Sequence, residues 1–232
     1  MSGFRTRRRS PAPPAAPRPG RITAIEPQRH DPARVSVFID GAFAFGLHLD
    51  VQLAHHLAPG DVLDEETIAQ LLREDEVKRA IAGALSLIAY RPRAAGEIRQ
   101  KLRERGFPPE AIDAAVERIR DLGYLDDRDF AGRWVESRQQ HRPRSARMLG
   151  RELAQKGVDR EVIAQTLEEA GIDELGDARA LAEKKWPSLA GLDAPTRQRR
   201  LAGFLARRGY DYDIIRRVIE ALEPAEDDPS SP

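Results

Sequence analysis

Apolar residues recur along this chain in two rhythms. From residue 21 to about 75 they alternate. RITAIEP, beginning at Arg21, has the spacing of a short strand. In ARVSVFIDGAFAFGL, Val35, Val37 and Ile39 alternate before Phe43, Phe45 and Leu47. Asp40-Gly41 separates the two runs, and this pair suits a type I′ turn, whose central residues both need positive φ. The pattern predicts a hairpin. Helical pieces near 51–56 and 65–74 follow, separated by APGDVL. A lone hairpin is marginal in water, so it must pack on its own helix or on what comes next.

From residue 76 to 222 the spacing becomes helical and the chain repeats itself. LRERGFPPEAIDAAVERI, from Leu102, returns as LAQKGVDREVIAQTLEEA from Leu153 and LARRGYDYDIIRRVIEAL from Leu205. The glycines Gly106, Gly157 and Gly209 stand 51 and then 52 residues apart. Stripes at i, i+4 and i+7 mark the buried faces: Ile98, Leu102, Ile112, Val116 and Ile119, with counterparts such as Leu149, Leu153, Ile163 and Leu205, Ile215, Ile219. Each glycine reads as the left-handed residue that closes a helix, and Phe107, Val158 or Tyr210 behind it as a corner plug. A further helix precedes each pair, near 76–90, 127–140 and 177–186. Trp134 and Trp186 both lie 23 residues before their glycine, so equivalent buried positions are expected for them. The predicted fold is mostly α: a tandem array of three three-helix repeats behind a small β-hairpin-containing N-terminal domain. The expected segments are a disordered basic Arg/Pro arm (1–20), the β-containing domain (21–75), repeats at 76–127, 128–172 and 173–223, and a mobile acidic tail (224–232).

Composition narrows the function classes. The chain has 232 residues, 41% of them hydrophobic and 33% charged. It lacks an apolar run of the ~20 residues that span a bilayer. MSGFRTRRRS is basic but is followed by no apolar stretch, so it is not read as a secretory signal. The absence of cysteine excludes disulfides, thiolate metal sites and cysteine nucleophiles, and the default compartment is the cytosol. His30, His48, His55, His56 and His141 are scattered, and no phosphate-binding loop or nucleophile elbow is present. The expectation is a non-enzyme with no cofactor and no metal.

Between the first two copies the chain reads GYLDDRDFAGRWVESR, flanked by YRPRAAGEIRQKLRERGF and HRPRSARMLGRELAQKGV. In this combination it resembles the RecX family, regulators of the RecA recombinase, over about 81–222 and more loosely over the β-containing segment. The resemblance implies that the protein binds the RecA–DNA filament and limits it, and so acts in homologous recombination, DNA repair and the SOS response. The local physics is readable without it: Gly123 ends a helix, Asp126 or Asp127 caps the next, and Tyr124, Leu125, Phe130 and Trp134 should bury between repeats one and two.

Net charge is zero, with 38 basic and 38 acidic residues, but the signs segregate. Middle helices and the loops before them are basic: Arg91, Arg93, Arg99 and Lys101, then Arg142, Arg144, Arg147 and Arg151, then Arg197, Arg199 and Arg200. Acids gather on the third helices, as in Glu110, Asp113 and Glu117. Stacked repeats would align these into a basic stripe, with a proline inside Arg91-Pro92-Arg93 and Arg142-Pro143-Arg144 presenting both guanidinia. Such a stripe suits the RecA filament and weak, sequence-independent contact with single- or double-stranded DNA, made by a monomer without a membrane partner. Two rival readings remain at this level: a plain DNA-binding module, and a helical scaffold docking one acidic protein.

Overall fold

A computed structural model describes residues 17–222. The expected arm up to residue 16 and the tail from residue 223 lie outside the described residues. The chain divides into two compact units after Ala80.

The first unit contains β1 (Gly20–Gln28), β2 (Asp31–Ile39), β3 (Ala42–His48), α1 (Leu49–Ala54) and β4 (Val62–Leu63). The strands form one antiparallel sheet in the order β3-β2-β1-β4. The turn follows the alternation: Asp40 and Gly41 have φ of 49° and 83°. Val35, Val37, Ile39, Phe45 and Leu47 bury with Leu57, Ile68 and Leu71, so the hairpin rests on a core of its own unit. Phe43 departs from the expected alternation and is 59% exposed. The pairs Val37–Phe45 and Phe38–Phe43 leave Ala44 as an extra residue, a bulge that turns Phe43 to the face of Phe38. Their rings meet edge to face at 6.0 Å. Asp75 is buried and accepts from both terminal nitrogens of Arg34, each at 3.0 Å, and from the backbone N–H of His48 at 2.7 Å. That charge-assisted clamp joins β2 and β3 to the following helix.

That helix, α2 (Glu65–Tyr90), is a single run of 26 residues rather than the two pieces expected. The polar stretch REDEVKR at its middle looks like a break in the apolar pattern. It holds no glycine or proline, and most of its residues are strong helix formers. No helix among the described residues is long and apolar enough to cross a membrane.

In the second unit the end of α2 is followed by α3 (Ala95–Glu104) and α4 (Pro109–Asp121). Then come α5 (Asp127–His141), α6 (Ala146–Gln155) and α7 (Arg160–Ala170), and last α8 (Glu174–Lys185), α9 (Ala194–Ala206) and α10 (Tyr212–Leu222). Three helical triplets result, as the repeat predicts. Gly106, Gly157 and Gly209 have φ of 85°, 76° and 95°, in the left-handed region where a side chain is strained. Val158 and Tyr210 plug the corners behind their glycines. At the join after Gly123, Leu125 is buried, whereas Tyr124 is 58% exposed, contrary to expectation. The Tyr124 N–H closes the end of α4 by donating to the Ile119 carbonyl at 3.0 Å, and the core position passes to its neighbour.

The tryptophans are not equivalent. Trp134 lies within α5, eight residues past its cap Asp126, but Trp186 opens a 3-10 turn (Trp186–Leu189) thirteen past Asp173. The longer connection between α8 and α9 conceals this in a count from the glycines. Both rings are half-buried.

Successive repeats meet by one recurring device. The start of a middle helix rests on the glycine loop of the next repeat. A Cβ added to Gly96 would stand 2.5 Å from the Cα of Gly157, so the backbones touch directly. One repeat later, Ser145 N–H donates to the Arg208 carbonyl at 3.1 Å, and the Arg147 guanidinium donates to the Gly209 carbonyl at 3.1 Å. The exposed N–H groups at these helix starts are satisfied from the next repeat as well. Asp127 accepts from Ala95 N–H at 2.7 Å, and Glu174 from Ala146 N–H at 2.8 Å. Two of the middle helices also carry caps of their own: Ser145 Oγ accepts from Met148 N–H at 3.2 Å on α6, and Asp193 accepts from Thr196 N–H at 2.9 Å on α9.

Candidate interaction surface

Two glutamates organise the basic residues. Glu97, on the first turn of α3, is mostly covered and binds the guanidinia of both Arg91 and Arg93; Lys156 from the next repeat stands 3.9 Å away. Burial by itself would raise its carboxyl, but Arg91, Lys156 and Arg93 outweigh burial and hold it below the usual glutamate range. Glu152, on α6, accepts from Arg138 Nε at 2.9 Å, from Arg144, and from Trp134 Nε1 at 2.9 Å. The Arg138 guanidinium lies 4.3 Å and the Lys156 ammonium 5.3 Å from the centre of the Trp134 ring.

The two Arg-Pro-Arg loops therefore do not present both guanidinia freely, as the proline argument expects. Arg93 folds inward, its side chain 10% exposed, and donates to the Leu87 carbonyl at 3.0 Å. Arg144 folds onto Glu152. The first arginine of each loop stays more accessible: Arg91 is 38% exposed even while paired, and Arg142 is exposed with no side-chain partner.

The remaining candidates separate into paired and unpaired. Arg99 meets Asp113 at 3.2 Å and Lys101 meets Glu104 at 2.7 Å. Arg147 holds the Gly209 loop, and Arg197 covers the Trp186 ring at 4.4 Å. Arg151 and Arg200 are exposed with no side-chain partner, and Arg199 is exposed beside the cap Asp193. Counted back from the loop glycines, the arginine pair recurs in repeats one and two only; Ala194 and Thr196 hold those positions in repeat three. Among the candidate residues, the free positive charges are thus Arg142 and Arg151 on repeat two and Arg199 and Arg200 on repeat three. Sequence reading missed the organising role of Glu97 and Glu152; the one available signal was an acid within basic helices.

The joint between repeats two and three is built differently. Asp177 accepts from Gln139 Nε2 at 2.7 Å, and Tyr210 is buried with its hydroxyl unpartnered. Burial and the nearby Asp173 and Glu174 push the Asp177 carboxyl upward, and burial pushes the Tyr210 phenol upward too. Asp127, at the first joint, is also raised by burial, although the Ala95 N–H opposes the shift. The histidines serve local roles: His48 caps α1, and His55 meets Glu74 at 2.8 Å. Among the described residues no group of His, Cys, Asp or Glu is placed to hold a metal ion.

Comparison with known proteins supplies four consecutive family matches. Residues 20–64 match the regulatory protein RecX N-terminal domain, and 80–118, 126–167 and 173–219 match its first, second and third three-helix domains. The chain is 30% identical to a regulatory protein RecX of Bacillus licheniformis over 208 residues, 89% of this chain and 79% of the relative. It is 37% identical to one of Streptomyces coelicolor over 156 residues, covering 66% and 83%. A crystal structure of regulatory protein RecX superposes with a TM-score of 0.69 at 23% identity, covering 86% of this chain and 98% of that one. RecX from Lactobacillus salivarius gives 0.57 at 22% identity, covering 64% and 97%. These two likenesses are of fold.

Proposed function

The chain belongs to the RecX family of regulatory proteins, and on that premise we propose that it binds the RecA–DNA filament and lowers its activity. It does so as a monomer, with no cofactor and no catalytic step of its own. The observation that carries this reading is the division of labour among the arginines. Glu97 and Glu152 fix one set within the repeats, and Arg142, Arg151, Arg199 and Arg200 are left exposed on successive repeats. Free guanidinia on two successive repeats suit an extended anionic partner, such as acidic protomer surfaces or the phosphates between them. The same free arginines favour a second reading, a DNA-binding module that ignores RecA; contact with bare DNA is then sequence-independent and salt-sensitive.

A time course of RecA ATPase on single-stranded DNA, with and without this protein, tests the first reading. Substoichiometric protein is expected to lower the rate, because one chain meets several protomers. An unchanged rate at equimolar protein removes the RecA reading. Equal affinity for bare and RecA-coated DNA favours the second.

A further inference from the structure

The joint between repeats one and two holds a cavity of about 420 Å³ that the regulatory reading does not use. Ile88, Pro92 and Phe130 form apolar walls. Tyr124 stands at it with more than half its surface in solvent, and Arg91 and Arg133 contribute guanidinia. Asp126, Asp129 and Ser137 add polar atoms. Trp134 also lines the cavity, but Arg138 and Lys156 occupy its ring and Phe130 stacks on it at 6.0 Å. The accessible aromatic ring is therefore Tyr124.

The second joint serves as an internal control. Counted from the caps Asp126 and Asp173, Phe130 corresponds to Asp177, Tyr124 to Gly171 and Arg133 to Ala180. Counted from the Arg-Pro-Arg loops, Ile88 corresponds to Gln139. There Gln139 and Asp177 hydrogen-bond to each other, where the first joint has Ile88 and Phe130. The same architecture is bridged by a polar pair at one joint and lined by apolar and aromatic groups at the other.

We infer that the cavity at the first joint takes an unstacked base of single-stranded nucleic acid, with Tyr124 as its stacking platform. A nucleotide has an apolar face, a polar edge and a charged phosphate, and the cavity offers a group for each. The phenol ring and apolar walls meet the face, and the second oxygen of Asp126, whose Oδ1 caps α5, accepts from an amino group on the edge. The terminal nitrogens of Arg133, whose Nε is held by Asp129 at 2.9 Å, and the exposed side of Arg91, which is paired with Glu97, meet the flanking phosphates. The carboxylates weigh against an acidic peptide as occupant. This goes beyond the regulatory reading and is independent of it, since free oligonucleotide suffices to test it.

The test uses the full chain and fluorescence anisotropy with two labelled strands of equal length, one of deoxycytidylate and one abasic. The phosphates are the same and only the first carries bases. The base-bearing strand is expected to bind about 5- to 100-fold more tightly, the range that one or two stacked bases give. Tyr124→Ala is expected to erase most of that ratio and Tyr124→Phe to keep it, with melting temperatures unchanged because Tyr124 is exposed. Equal binding of the two strands, no binding of either, or an unaffected ratio in Tyr124→Ala overturns the inference. So does a Tyr124→Ala variant that keeps strand binding but loses binding to RecA protein without DNA; the cavity would then hold a protein side chain.

Discussion

The first and second joints of the helical array use the same contact and opposite electrostatics. In both, a middle helix rests on the glycine loop of the next repeat and borrows an acidic cap from it. At the first joint the mostly covered acid Glu97 is surrounded by Arg91, Arg93 and Lys156. At the second, Asp177 has only an amide as hydrogen-bond partner, and two further carboxylates stand near it. Backbone packing is what the repeat preserves; each joint solves the charge problem separately.

The largest test of that contrast is a single methyl group. Gly157→Ala places a Cβ at a left-handed residue and 2.6 Å from the Cα of Gly96. Left-handed strain of ~1–2 kcal/mol combines with overpacking of ~1–3 kcal/mol. Gly106→Ala bears the strain alone, because nothing stands within 4 Å of that position. Urea melts should therefore separate the two variants by at least about 1 kcal/mol; equal losses would mean that the repeats do not touch through Gly157.

Next in size is the exchange of charge for amide. Glu97→Gln weakens charge-assisted bonds to two arginines and should lose about 2 kcal/mol near neutral pH, less than full burial would give because Arg91 is partly in solvent. Asp177→Asn should lose nothing or gain stability. Acid should remove the difference. The Glu97 carboxyl is lowered in the fold, so its contribution is present above the unfolded pKa and is lost as pH falls through the folded one. The Asp177 carboxyl is raised, so its ionised form costs stability at neutral pH, and that cost disappears as pH falls through the raised value. Compared with melts at about pH 7, melts at about pH 3 should bring both variants toward wild type, from opposite sides.

Trp134→Ala should cost about 2–3 kcal/mol, below a fully buried tryptophan because the ring is half-covered, and it also removes a donor to the Glu152 carboxylate. Trp186→Ala should cost less, as its ring sits in a connection rather than a helix-core position. The reverse ranking would restore the equivalence that counting from the glycines suggests.

The smallest effect on stability belongs to the free arginines. Arg142→Ala with Arg151→Ala should leave the melting temperature where it is, yet reduce the slope of log affinity for DNA against log salt by about one for each phosphate no longer neutralised. An unchanged slope would mark these side chains as solvated surface only.

The helical triplets, the hairpin and the glycine corners were readable from the chain because each rests on local spacing: period 3.6, period 2, or one residue with φ above zero. Three features were not. The bulge at Ala44 exposes Phe43 through a slip in pairing, which alternation alone does not encode. The α2 helix continues through REDEVKR because nothing there breaks it, although nothing apolar advertises it. The pairing of arginines with Glu97 and Glu152 depends on which way long side chains fold, and a list of charges does not carry that direction. Of the candidate surface, the free arginines were legible by type and position, and the Tyr124 cavity was not, since its residues come from two separate stretches of chain, 88–93 and 124–137.

The borrowed caps also impose an order in time. Residues leave the ribosome from the N-terminus onward, and the acid that closes α3 lies 32 positions after the N–H it serves, the one that closes α6 28 positions after. Each of these helices is synthesised before the group that finishes it. Helix α6 also emerges behind a cap of its own, Ser145, which serves the Met148 N–H, and α9 emerges behind Asp193. A nascent chain halted before Asp127 thus carries an α3 whose Ala95 N–H still lacks its carboxylate partner.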